Sequence, residues 1–84
     1  MIEQSVVIGN SFTDAREVAL LVQTAGKFSS RIHIEIDTKK INAKSMMGAM
    51  YLGIAEGQTA KVIAEGNDEN DAVKELAQSL AKIK

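Results

Sequence analysis

The sequence predicts an α+β fold of order βαββαβα: an open-faced β-sandwich with a four-stranded antiparallel sheet and three helices on one face. Two observations carry this. Short segments with one apolar face alternate with segments of helical period, and no strand reads as a continuous apolar run of the kind that helices bury on both sides. An antiparallel sheet with all its helices on one side is the simplest packing for such elements.

The elements follow in order. Residues Glu3 to Ile8 read as a first strand with Val6 and Ile8 on one face, broken by Gly9, Asn10 and Ser11. Val18, Leu21, Val22, Ala25 and Phe28 then recur at helical spacing, and Gly26 with Ser29 and Ser30 marks the end of that run. "RIHIEID" alternates strictly: Ile32, Ile34 and Ile36 face one way, and Arg31, His33, Glu35 and Asp37 the other. "DTKK" turns this strand into a short partner around Ile41. "SMMGAMYLG", opened by Ser45, fits one or two helical turns. "TAKVIAEG" reads as the last strand, with Ala60, Val62 and Ala64 inward. The closing helix carries Asp68, Glu69 and Asp71 in its first turn and Lys74, Lys82 and Lys84 further along, an order that complements the helix dipole. Val73, Leu76, Ala77, Leu80 and Ile83 form its buried stripe. No linker or repeat interrupts the 84 residues, so residues 1–84 are expected to form a single domain.

Composition narrows the function. At 45% hydrophobic and 25% charged the chain reads as a folded globular protein. A net charge of −1 provides no field for a polyanion, so nucleic acid is not an expected partner. No apolar run is long enough to span a bilayer and no signal-peptide core is present, so the expectation is a cytoplasmic protein that does not engage membranes. The absence of cysteine removes thiolate chemistry and cysteine metal sites. The one histidine, His33, lies on the polar face of its strand and reads as a solvated surface group. No metal site, cofactor motif or catalytic constellation emerges, and an enzyme is not expected.

Three features stand out. "TDARE" at 13–17 has the spacing of a capping box, in which Asp14 accepts from the N–H three residues on and Glu17 reaches back to the cap. Ser45 stands where a short helix begins and reads first as its N-cap. A phosphate there would also meet free N–H groups and the positive end of the helix. Met46, Met47 and Met50 cannot all point inward from so short a helix, so one or two of them offer an adaptable partner surface.

"LVQTAGKF" at 21–28, "NAKSMMGAMYLGIAEG" at 42–57 and "AEGNDENDA" at 64–72 resemble the histidine-containing phosphocarrier family, HPr, of the bacterial sugar phosphotransferase system. The resemblance runs along essentially the whole chain as a single HPr-like domain, and the family has the fold order read above. The family carries phosphate on a histidine in a G-x-H-A-R-P-A stretch. Here residues 11–19 are S-F-T-D-A-R-E-V-A, which puts Asp14 at the histidine position, keeps Ala15 and Arg16, and replaces the proline by Glu17. Phosphohistidine is thereby excluded at that position.

The Crh-like branch of the family lacks the active histidine and keeps the serine matching Ser45. The resemblance therefore implies a phosphoserine-dependent adaptor or corepressor in carbon catabolite regulation. Ser45 would be modified by an HPr kinase/phosphorylase, and the product read by a LacI-type catabolite control regulator. It further implies that Arg16 lies near the phosphoserine, and that Leu20, Met46, Met47 and Met50 form the apolar contact. Two alternatives stand beside this reading: a phosphocarrier using Asp14 as an acyl phosphate, and a divergent interaction module that is not phosphorylated. The expected state is a monomer or weak dimer.

Overall fold

The structure, a computed structural model, describes residues 1–82. The elements are β1 (Ile2–Val7), α1 (Ala15–Gly26), β2 (Arg31–Ile36), β3 (Lys39–Asn42), α2 (Met46–Leu52), β4 (Thr59–Glu65) and α3 (Glu69–Ala81). The order βαββαβα is the expected one. Ile83 and Lys84, placed by the sequence on the last helix, lie outside the described residues.

The four strands form one antiparallel sheet in the order β1-β4-β2-β3. Its register explains the alternation. Ile2 and Val6 pair with Ala64 and Ala60 on the inner face, and Ile32 and Ile34 stand opposite Ala64 and Val62. These side chains meet the three helices: Ile32, Ile34, Val62, Ala64, Leu76 and Leu80 are essentially inaccessible. Fully burying each large aliphatic contributes about 1.5–3 kcal/mol, so this layer is a substantial part of the drive to fold.

The hairpin between β2 and β3 turns through Asp37, whose φ of 56° lies in the left-handed region that Asp tolerates better than most residues. α1 buries Val18, Leu21 and Ala25, while Val22 is only half-buried. Phe28 falls beyond the helix, in the loop to β2, and packs against the core from there. α3 buries Ala72, Val73, Leu76, Ala77 and Leu80, the expected stripe extended by Ala72.

β1 departs slightly from its expected bounds, beginning at Ile2 and ending at Val7. Ile8 is nevertheless 1% exposed, because the chain stays in register beyond the strand: Ile8 N donates to Gln58 O and Gly57 N donates to Ile8 O, both at 2.8 Å. Gly9 N then donates to Leu80 O at 2.8 Å, so the loop after β1 satisfies a carbonyl that the end of α3 leaves without an intrahelical partner.

The expected capping box differs at α1. Asp14 is the N-cap, but its carboxylate accepts from the N–H of Arg16, two residues on, at 2.8 Å. The Glu17 carboxylate accepts from the Asn10 side-chain amide at 3.1 Å, tying the helix to the loop that leads into it. Asp68 departs as well. It stands at the start of α3, yet its side chain makes no bond to its own helix and reaches the loop between α1 and β2 instead.

Among the described residues no helix is long and apolar enough to cross a membrane.

Candidate functional site

The segment from Asn42 to Leu52 builds the site that the sequence singled out. β3 ends at Asn42, whose side-chain oxygen accepts from the N–H of Lys44 at 2.8 Å while its carbonyl accepts from the N–H of Ser45 at 3.0 Å. These bonds turn the chain tightly, as asparagine does where a strand gives way to a helix. Ala43, fully buried, anchors the turn to β2 through Ala43 N to Ile32 O, 2.9 Å. Lys44 extends its ammonium to the carbonyl of Phe28 at 2.7 Å, joining this turn to the α1–β2 loop.

Ser45 then caps α2. Its backbone is extended (φ −101°, ψ 118°), and its Oγ accepts from the N–H of Gly48 at 3.1 Å. α2 itself is short, ending at Gly53 in the left-handed conformation that stops a helix. Seven residues allow one buried row, and Ala49 and Leu52 occupy it. The methionines divide as the length requires. Met46 is half-buried, whereas Met47 is 84% and Met50 49% exposed.

Leu20 on α1 is also exposed, at 59%, and α1 packs on α2. The apolar surface has a member that the sequence reading overlooked. Tyr51 is 68% exposed, and the Lys39 ammonium lies 5.1 Å from its ring centroid, a cation–π distance. The spacing of Tyr51 four residues after Met47, on the same helix face, is the signal that could have revealed it.

The start of α1 brings Asp14 and Arg16 to the surface. Asp14 is engaged by the Arg16 N–H, and among the described residues no carboxylate forms an ion pair with the Arg16 guanidinium. Beside it, Phe12, Leu20, Leu21 and Thr24 line a shallow cleft of about 270 Å³, with the Asn10–Glu17 pair at its edge. His33 is far from this chemistry in a topological sense. It stands on the outer face of β2, opposite the helices, paired across the sheet with Asn42 and Ile63. Among the described residues no group of three or more histidine, aspartate or glutamate side chains is placed to hold a metal ion.

A four-stranded open antiparallel sheet under three helices, in the order βαββαβα, is an HPr-like fold. The chain belongs to the HPr family: the family model described as the PTS HPr component phosphorylation site matches residues 2–82. It is 46% identical to the HPr-like protein Crh of Halalkalibacterium halodurans, over 98% of this chain and 99% of that one. Among solved structures it is similar to the phosphocarrier protein HPr of Bacillus anthracis, with a TM-score of 0.87 and 38% identity over 94% of this chain and 95% of that one. It is similar too to Bacillus subtilis Crh, a catabolite repression protein solved as a domain-swapped dimer, with a TM-score of 0.79 and 39% identity over 100% of this chain and 98% of that one.

Proposed function

We propose that this protein is a regulatory adaptor rather than an enzyme or a phosphohistidine carrier, and that phosphorylation of Ser45 is its switch. The observation that carries this reading is the position of its single histidine. A family built around histidine chemistry at the start of α1 here has Asp14 at that point by resemblance, and its one imidazole is on the opposite face of the sheet. Phosphohistidine relay is thereby lost, while the serine at the head of α2 and the apolar surface beside it are both present.

Similarity to Crh supports the same reading, since the Bacillus subtilis relative is described as a catabolite repression protein. Modification of Ser45 would add about −1.5 to −2 charge units beside Met47 and Met50 without refolding the domain. Arg16, with its guanidinium uncommitted to any described carboxylate, is suited to pair with the phosphate or to contact the reader. The modifying enzyme would be an ATP-dependent HPr kinase/phosphorylase and the reader a LacI-type catabolite control regulator, in the cytoplasm.

The test is phosphorylation of the purified chain by that kinase with ATP, followed by titration of the product against the regulator. Label on Ser45 and binding that appears only after labelling are expected. A chain left unmodified, or a phosphorylated chain that the regulator ignores, sinks the reading. Binding that survives Ser45→Ala but is lost in Met47→Asp would identify instead a module that works without phosphate.

A further inference from the structure

Gly48 is the third residue of α2, and its N–H is the donor that holds Ser45 Oγ, at 3.1 Å. Glycine inside a helix is destabilising relative to alanine, and a seven-residue helix has little propensity to spare. The absent side chain has a definite spatial consequence. A Cβ on Gly48 would stand 3.2 Å from Ile41 Cβ and 3.4 Å from both Cβ and Oγ of Ser45. Ile41 belongs to β3 and its Cβ is fixed to the backbone, so a methyl at position 48 cannot gain room by moving towards the strand. Relief would come on the Ser45 side, against the hydroxyl.

We propose that Gly48 is a positioning residue for phosphoryl transfer to Ser45: its N–H orients Oγ while its missing side chain keeps the space beside that oxygen open. The inference rests on the Ser45 reading above. In the step concerned, Ser45 Oγ bonds to the γ-phosphorus of ATP, the bond from that phosphorus to the ADP oxygen breaks, and the hydroxyl proton passes to a base of the kinase. Phosphoryl transfer depends on positioning the attacking oxygen in line with the leaving group and on electrostatic stabilisation by the kinase, and the protein substrate contributes to the first by what it leaves unobstructed. The N–H of Gly48 already takes one lone-pair direction of Oγ. A methyl in contact with the same oxygen narrows the approach that remains.

The experiment compares the full chain with Gly48→Ala as substrates of an HPr kinase/phosphorylase and ATP, with Ser45→Ala to locate the label and Gly26→Ala as a glycine control. A Cβ on Gly26 meets nothing within 4 Å. Gly48→Ala should lower kcat about ten- to a hundredfold with KM unchanged, the split expected of a residue that aligns the attacking oxygen rather than holds the partner. Its thermal midpoint reads the balance between the helix propensity gained and the 3.2 Å contact with Ile41 Cβ, and Gly26→Ala should turn over like the parent. Parental kcat in Gly48→Ala overturns the proposal and leaves the Ser45 reading standing. So does a fall in kcat that tracks a fall in thermal midpoint and disappears at a temperature where the variant is fully folded. A parent chain that takes no label, or label that persists in Ser45→Ala, removes the Ser45 reading and this proposal with it.

Discussion

The carboxylate of Asp68 is hydrogen-bonded to the hydroxyl of Ser30, a residue thirty-eight positions earlier in the chain. The same Oδ1 accepts the N–H of Ser30 and Oδ2 accepts the N–H of Ser29, both at 2.9 Å. The aspartate at the start of α3 thus holds the loop that ends α1. Donation from the Ser30 hydroxyl first, and from the Ser29 N–H next, lowers its pKa from 3.8 to about 2. A lowered folded-state pKa means that the carboxylate contributes its full share of stability above pH 3.8, and that this share is lost as pH falls towards about 2. Asp68→Asn should therefore weaken the fold near neutral pH and flatten its stability profile between those limits. Urea midpoints at pH about 5 and about 2.5 measure it: a larger parent–variant gap at the higher pH is expected, and an equal gap refutes the assignment.

Gly9 admits no side chain. A Cβ there would fall 2.1 Å from the carbonyl oxygen of Ala81, and the Gly9 N–H is already bonded to Leu80 O. Gly9→Ala should force α3 away from the loop after β1 and cost about 1–3 kcal/mol, the range for overpacked sites. Denaturant titration checks the loss, and exchange of the residue 9 amide should rise with it.

Lys44 tests how firmly the turn before Ser45 is held. Lys44→Met keeps the aliphatic stem and removes the ammonium that donates to Phe28 O. About 1.5–3 kcal/mol of stability should be lost, in line with a hydrogen bond to a charged donor. Faster amide exchange at Ser45, whose N–H is bonded to Asn42 O, should accompany it, because the turn loses its outer anchor.

Met47 separates folding from binding. At 84% exposure it contributes almost nothing to the core, so Met47→Asp should leave stability within about 0.5 kcal/mol of the parent. Binding of the partner of the Ser45-modified chain should fall by about 2 kcal/mol, the loss expected for an apolar anchor at an interface centre. Calorimetric titration alongside a thermal melt measures both.

Legibility followed sequence distance. The alternation of Ile32, Ile34 and Ile36 and the stripe of Val73, Leu76, Ala77 and Leu80 were readable because each depends only on the period of its own element. Ser45 as a cap was readable for the same reason, since its bond partner is three residues away. Asp68 was not. An acid at a helix start looks like a local cap, and only the fold reveals that its donors come from Ser29 and Ser30. Asp14 and Glu17 show the finer limit: the spacing of a capping box was present, but the Asn10 amide engages Glu17 and Arg16 supplies the donor to Asp14. Lys44 to Phe28 and Lys39 over Tyr51 were invisible for the reason Asp68 was, each joining separate elements.

The strand order β1-β4-β2-β3 puts the first strand beside the last, with Ile2 opposite Ala64. β2 and β3 can meet early through a two-residue turn, but β1 has no local partner and can be recruited only after most of the chain has been drawn together, at the full entropic cost of closing that loop. The topology predicts that β1 docks late in folding. Side-chain deletions at Val6 should speed unfolding far more than they slow folding, while deletions at Ile34 or Ile41 should slow folding itself. The residues of β1 are, on this topology, the last to find their place.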